Sequence, residues 1–187
     1  MKAQSHNIPQ RFQHIGNGAY YINFNIKEDM MESPDGDPVE VYVYDYVRVD
    51  RLTRNNTIAA IVRDQFSQDK VEAIQNNYIN GDDVIEFLRL QAWREYAKLI
   101  ADDAEQGVID ALVAKKVFAI AIPLNITMPG GDYSQMADVM LRLQVPYFVK
   151  QAENLATIYP SWISSEDRTL LDADPRVTIN EIELFIH

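Results

Sequence analysis

The stretch VEVYVYDYVRVD, residues 39–50, alternates with the two-residue period of a β-strand, and both of its faces carry large side chains. One face is built from valines and one aspartate, and the other from tyrosines that lead to an arginine: Val39, Val41, Val43, Asp45, Val47 and Val49, against Tyr42, Tyr44, Tyr46 and Arg48. In an antiparallel sheet that packs on one side only, the second face is normally polar. We therefore expect other parts of this chain, or another chain, to pack against both faces of this strand.

A second strand precedes it. Residues 20–27 alternate in the same way, with the apolar set Tyr20, Ile22, Phe24 and Ile26 on one face. The intervening SPDGDP, residues 33–38, holds Pro34 and Gly36, which suit turn dihedrals. We predict an antiparallel hairpin. Residues 1–18 are polar and show no period, which predicts an extended arm or a disordered tail.

The period then changes to that of helices. Thr53 and Ser67 suit two N-caps, Asn80-Gly81 suits a helix end, and Asp83 with Glu86 has the spacing of a capping box for a third helix. Two apolar stripes result: Ile58, Ile61, Val62 and Phe66 on the first helix, and Ile85, Leu88, Ala92, Tyr96 and Leu99 on the third. An isolated hairpin is marginal, so we expect these helices to pack on its valine face.

The half after Gly107 mixes strands and helices. VFAIAIPLNITMPGGD, residues 117–132, predicts a strand whose Pro123 places it at an edge or a bulge. Asp132 or Ser134 caps a helix with one apolar face, formed by Met136, Val139, Met140 and Leu143. Pro146 predicts the first turn of another helix, which Pro160 closes. In RVTINEIELFIH, residues 176–187, the apolar phase slips, which indicates a bulge or a strand that crosses between two packing surfaces.

These elements predict an α+β fold: an N-terminal β-hairpin packed on a three-helix segment, followed by a mixed strand and helix C-terminal half. The expected division is an arm at 1–18, the hairpin with its helices at 19–106, and an α+β part of unknown type at 107–187.

Composition limits the function. The 187 residues are 47% hydrophobic, enough for one packed domain or two small ones, and the formal net charge of −11 disfavours direct binding to nucleic acid. The absence of cysteine removes disulfides and thiolate nucleophiles. No apolar run has the length of a signal-peptide core or a membrane span, so we expect a soluble protein made in the cytoplasm, with no membrane partner.

Catalytic chemistry is not evident. The three histidines, His6, His14 and His187, lie in the predicted arm or at the end of the sequence. MPGGDYS, residues 128–134, lacks the ending of a phosphate loop, and the DGD and DAD segments, residues 35–37 and 172–174, lack the ligand ladder of a calcium loop. The acidic pairs Asp82-Asp83 and Asp102-Asp103 are typical of solvated helix ends. We predict no catalytic residue, no metal site and no cofactor; the chain is not expected to be an enzyme.

The tyrosine face is the candidate interaction site. Tyr42, Tyr44, Tyr46 and Arg48 present three large rings and a guanidinium on one strand face, more than a small monomer usually leaves exposed. Either another part of the same chain covers them, or they form an interface between chains, where tyrosine and arginine are enriched.

Three segments carry a resemblance to a known family: RFQHIGNGAYYINFNI (11–26), YDYVRVDRLTRNNTIAAIVRDQFSQDKVEAIQNNYI (44–79) and EFLRLQAWREYAKLIA (86–101). They resemble an uncharacterised domain family of phages and prophages of gut Bacteroidales, including crAss-like phages, which is similar to domains of tail-fibre and tail-associated proteins. The matching features are the tyrosine-rich strand, Ile61-Val62-Arg63, Phe66-Ser67, Asn76-Asn77 and Trp93-Arg94-Glu95. The resemblance implies a virion component or a morphogenesis factor and transfers no catalytic residue.

Two functional classes follow. The first is a structural subunit of the phage neck or tail, located in the virion and assembled with copies of itself, often as a closed ring, and with other virion proteins. The alternative is a non-virion chaperone that binds a tail-fibre or capsid protein during assembly and then leaves.

Overall fold

Two long antiparallel strands form the centre of the N-terminal sheet. In a computed structural model that describes residues 1–32, 36–124, 134–143, 145–152 and 154–185, the strands are β1 (Lys2–Ser5), β2 (Phe12–Gly16), β3 (Ala19–Glu32) and β4 (Pro38–Val49). Their order is β1-β4-β3-β2, with every neighbour antiparallel. The expected hairpin is β3 and β4. The residues predicted as an arm supply both edge strands.

Four helices follow the strands, and the first three begin directly after the residues predicted as caps. They are α1 (Arg54–Gln65), α2 (Gln68–Ile79), α3 (Val84–Ala101) and α4 (Gln106–Val113). Thr53 Oγ1 accepts from the Asn56 amide and Ser67 Oγ accepts from the Lys70 amide, both at 3.2 Å, which confirms these two N-caps. Asp83 precedes α3 with a φ of +50°, and its carboxylate accepts from Asn77 Nδ2, so it does not have the extended backbone of a standard capping box.

The chain divides into two compact units, Met1–Ala73 with Leu90–Leu112, and Ile74–Arg89 with Val113–His187. In the first unit the valine face is buried through Val41, Val47 and Val49, and Ile61 of α1 belongs to the same core. The ring of Tyr96 on α3 meets Phe24 of β3 edge-on. The valine face is therefore covered by helices, as expected.

The second unit contains a four-stranded antiparallel sheet of order β6-β7-β5-β8. Its elements in chain order are β5 (Lys116–Pro123), α5 (Ser134–Met140), β6 (Tyr147–Ala152), β7 (Leu155–Pro160), α6 (Ser165–Asp172) and β8 (Thr178–Glu183). Side chains from one face of this sheet pack with side chains from α5 and α6 in a single buried cluster: Ile120, Ile122, Val139, Leu143, Ile158, Ile163 and Leu171. The chain thus has both strands and helices in each half, which confirms the α+β class.

Two predictions for this unit are corrected. Pro123 was expected to place its strand at an edge or at a bulge, but β5 is an interior strand whose pairing is regular on both sides. The pairing with β8 ends at Ala121, so Pro123 has a paired neighbour only in β7. The helix expected between Pro146 and Pro160 is the hairpin of β6 and β7, with Asn154 at a φ of +56° in its turn. Aromatic and β-branched residues in YFVKQA and LATIYP favour strands, and this preference prevails over the two prolines.

The phase slip in the last strand is a change of packing surface. Ile179 pairs with Ile120 and packs on the buried cluster, whereas Ile182 pairs with Val117, whose side chain lies on the opposite face of β5. The second of the two predicted explanations is therefore confirmed.

Candidate interaction surface

The tyrosine face lies on the side of the N-terminal sheet away from the helices. Tyr42, Tyr44 and Tyr46 are each half-buried, and Arg48 is exposed. Tyr44 pairs with Ala3 of β1, and Tyr46 pairs with Asn23 of β3, so small or polar neighbours flank the rings. The structure brings the four predicted residues together on one strand face.

A shallow cleft opens between these rings. Tyr21 of β3 meets Tyr46 edge-on, with centroids 5.2 Å apart and planes at 74°. The cleft has a volume of about 180 Å³, and its lining is aromatic and amide in character: Ala3, Gln13, Tyr21, Asn23, Tyr44 and Tyr46. Rings with apolar bodies and polar tips suit a partner surface that is partly wet.

The segment between β1 and β2 covers part of this face. It crosses from one edge of the sheet to the other, and the Asn23 side chain donates to the Gln10 carbonyl at 2.7 Å. Arg11 anchors the end of this crossing, because its guanidinium donates to Asp103 at 2.9 Å and to the Ala104 carbonyl at 2.7 Å. The chain's own cover therefore buries Asn23, while the three tyrosines of β4 stay half-exposed.

An apolar groove on α1 is a feature that the sequence analysis did not separate from the core. Ile61 is fully buried, but Ile58 and Val62 are half-buried and line a groove of about 390 Å³ with Phe66 and Val71. Ile58, Val62 and Phe66 are spaced four residues apart, so they form a second stripe beside that of Ile61. The sequence shows this spacing, but it does not distinguish these residues from the ones that meet the sheet.

Basic side chains surround this groove. Arg63, Arg94 and Lys98 line it, and Arg63 also lines an adjoining cleft of about 280 Å³ together with Arg48 and Arg51. Arg48 pairs with Asp50 at 3.1 Å, and Lys98 pairs with Glu95 at 2.6 Å. Within the described residues, no carboxylate lies at ion-pair distance from Arg51, Arg63 or Arg94. Two arginines in the groove and one in the adjoining cleft, all without a carboxylate partner in the described part of the chain, are unusual on a chain with a net charge of −11.

The acidic pairs serve structural contacts. Arg54 donates to both carboxylate oxygens of Asp102, at 2.6 and 2.8 Å, and this hydrogen bonding holds the pKa of Asp102 below its ordinary value. Asp103 pairs with Arg11, and Asp82 pairs with Lys150 at 3.2 Å. These carboxylates are occupied by partners, which disfavours an acid–base role.

The other singled-out residues lie apart. His6 and His14 are exposed, and the His14 ring lies 4.9 Å from that of Tyr20. Met136 and Met140 pack against the buried cluster of the second unit. Asp174 accepts from the guanidinium of Arg176. His187 and residues 128–133 of the glycine-containing loop lie outside the described residues, as does Asp35 of the first acidic segment.

One exposed strip in the second unit was missed because its residues were predicted to form a helix. Tyr147, Phe148 and Val149 are consecutive in the edge strand β6, and each is exposed by between 37 and 38%. Phe148 meets the ring of Tyr78 edge-on at 5.8 Å, and Tyr78 stacks on Phe87 at 3.7 Å. An apolar edge strand of this kind is open to pairing with another chain.

Comparison with known proteins gives no relative: no family model, curated protein or solved structure matches this chain. Among the described residues, no cluster of three or more His, Cys, Asp and Glu side chains has an arrangement suited to a metal ion. The described helices include none with the length and apolarity needed to cross a membrane.

Proposed function

We propose that this chain is a structural protein of a phage virion, a neck- or tail-associated subunit that assembles with copies of itself and with other virion proteins. The observation that supports it best is the tyrosine face, where Tyr42, Tyr44 and Tyr46 stay half-exposed after the chain has placed its own N-terminal residues beside them. Buried aromatic anchors supply much of the binding energy of protein interfaces. The phage context comes from the sequence resemblance alone.

The N-terminal strands support the same proposal. β1 and β2 complete the two edges of the sheet, so the tyrosines are presented by a four-stranded surface and not by an isolated hairpin. A surface that is already ordered loses less conformational entropy when it binds. The proposal involves no catalysis, no cofactor and no direct contact with nucleic acid.

The exposed edge strand β6 favours a second candidate, an assembly chaperone that is absent from the finished particle. A free apolar edge can add a strand to a partner that has not yet completed its own sheet. Tyr147, Phe148 and Val149 would then bind a tail-fibre or capsid protein and release it upon assembly.

Quantitative peptide mass spectrometry of purified particles distinguishes the two. A structural subunit is expected at a fixed copy number per particle, and that number reports the symmetry of its ring or layer. A chaperone is expected in infected cells and missing from particles, and this result would overturn the first proposal.

A further inference from the structure

The far end of the β3–β4 hairpin extends beyond its neighbours. β1 pairs with β4 only from Tyr42 to Asp45, and β2 pairs with β3 only from Ala19 to Ile22. Among the described residues, no third strand therefore pairs with the strand pairs from Asp29–Val41 to Glu32–Pro38. We refer to these pairs, together with the adjoining pair Glu28–Tyr42, as the ribbon, residues 28–32 and 38–42.

One face of the ribbon is acidic around an exposed methionine. Met30 is 62% exposed, and Glu40 is its direct partner across the ribbon. Glu28 and Glu32 lie two residues to either side of Met30 and so share its face. Among the described residues, none of these three glutamates has a basic partner within ion-pair distance.

The groove on α1 carries charges opposite to those of the ribbon. Its centre is apolar and is formed by Ile58, Val62 and Phe66. Arg63 and Arg94 line the same groove and Arg51 lines the adjoining cleft, and none of the three has a carboxylate partner among the residues that the structure describes. A methionine adapts its shape to an irregular apolar groove. The three glutamates equal in number, and oppose in charge, the three arginines that have no carboxylate partner among the described residues.

We infer that the ribbon of one copy of this chain docks in the α1 groove of a second copy. Met30 then enters between Ile58, Val62 and Phe66, and the ribbon glutamates pair with the arginines. Within one molecule this contact is not made, since Met30 remains exposed. This inference rests on the proposed function, because it specifies how copies of the subunit contact one another.

A second copy fits better than a small acidic ligand. The cations are spread over two adjoining clefts that share Arg63, and a single head group does not reach both. A partner with several separated carboxylates can reach the arginines of both clefts. Because ribbon and groove are different surfaces, each copy offers one of each, and the contact is head-to-tail; it produces a ring if the rotation closes and a filament if it does not.

Charge reversal tests the contact. The groove variant carries Arg51→Glu and Arg63→Glu, both at exposed positions, and the ribbon variant carries Glu28→Lys and Glu40→Lys. The control is Lys115→Glu, an exposed position outside both surfaces, which reports the effect of added negative charge. Sedimentation velocity should show self-association of each double variant weakened by about 10- to 100-fold relative to wild type, with the control close to wild type.

Complementation makes the test specific. A mixture of the groove and ribbon variants, and a chain carrying all four reversals, should both regain assembly, since opposite charges face each other again. The natural chain has no cysteine, so Met30→Cys mixed with Val62→Cys should give a disulfide-linked dimer that neither variant forms alone.

The outcomes separate this inference from the proposed function. A wild-type chain that stays monomeric at its highest soluble concentration overturns the ribbon–groove contact. The contact is also overturned if the groove variant self-associates as strongly as the Lys115→Glu control. In that case the tyrosine face would remain as the interface. The proposed function fails on different evidence, the absence of the chain from purified particles.

Discussion

The hydroxyl of Tyr96 accepts a hydrogen bond of 2.9 Å from the backbone amide of Asn25. Asn25 has a φ of +52° at the point where the β3–β4 register shifts, and its side chain donates to the buried Asp45 at 2.9 Å. Tyr96 belongs to α3 and is 3% exposed. A helix residue thus satisfies the backbone at the irregularity from which the outer part of the hairpin extends.

Tyr96→Phe should destabilise the first unit by about 1–3 kcal/mol, because the amide of the half-buried Asn25 loses the acceptor that the buried Tyr96 supplies. Chemical denaturation followed by fluorescence measures the change. Tyr44→Phe is the matched control and should cost under about 0.5 kcal/mol, since the Tyr44 hydroxyl makes no hydrogen bond with any of the described residues. Equal effects of the two substitutions would contradict the assigned role of the Asn25 contact.

The same tyrosine predicts a dependence on alkaline pH. Burial raises the pKa of Tyr96 from 10.0 to about 12, so folding favours the neutral hydroxyl. Its contribution is complete below pH 10.0, the pKa of the unfolded chain, and is lost as the pH rises to about 12. The difference in unfolding free energy between wild type and Tyr96→Phe should therefore shrink over this interval. A difference that stays constant would show that Tyr96 titrates normally.

Two glycines offer a matched pair of substitutions with opposite expected signs. Gly81 ends α2 with a φ of +81°, and Gly107 lies in α4; a methyl group at either position would meet nothing within 4 Å. Gly81→Ala should cost about 1–2 kcal/mol through backbone strain alone. Gly107→Ala should stabilise by about 0.5 kcal/mol, because alanine loses less entropy in a helix. Thermal unfolding measures both, and two changes of the same sign would refute the argument.

The C-terminal unit should be sensitive to acid through Asp174. Arg176 donates to this carboxylate from its side chain and its backbone, and these hydrogen bonds hold the pKa of Asp174 well below its ordinary value of 3.8. A depressed pKa contributes stability above the ordinary value and loses it as the pH falls. The melting temperature of wild type should therefore decline on acidification below about pH 5 more steeply than that of Asp174→Asn. Asp167→Asn on α6 removes the same charge and should keep the wild-type slope; parallel curves for all three would exclude Asp174 as the cause.

Much of the first unit was predictable from the sequence because its signals are local. Alternation in residues 39–50 identifies β4, and hydroxyl caps at Thr53 and Ser67 fix where α1 and α2 begin. The placement of β1 and β2 was not predictable in the same way. Their residues show no period, and they become strands because β4 and β3 offer free edges to pair with.

The second unit shows where local rules compete. Prolines at 146 and 160 indicate helix boundaries, but β6 and β7 form a hairpin between them, and β7 also pairs with β5. Their aromatic and β-branched residues favour strands, and this preference prevails over the prolines. The groove on α1 was missed for another reason. Ile58, Val62 and Phe66 look like core residues in the sequence, and only the packing of Ile61 against the sheet shows that two stripes are present.

The tyrosine face gives the last prediction. Tyr44 is half-buried at the centre of the exposed sheet face, beside Ala3, so a lysine there places a charge among the rings without opening the core. Tyr44→Lys should leave the circular dichroism spectrum unchanged, because lysine extends its stem over the sheet and keeps its ammonium in water. Association measured by light scattering should weaken by about 10-fold, since a desolvated aromatic anchor is lost. Tyr44→Phe keeps the ring and should associate as wild type does. Unchanged association of Tyr44→Lys would assign the tyrosines to the folding of their own chain, and the interface between copies would then have to lie elsewhere.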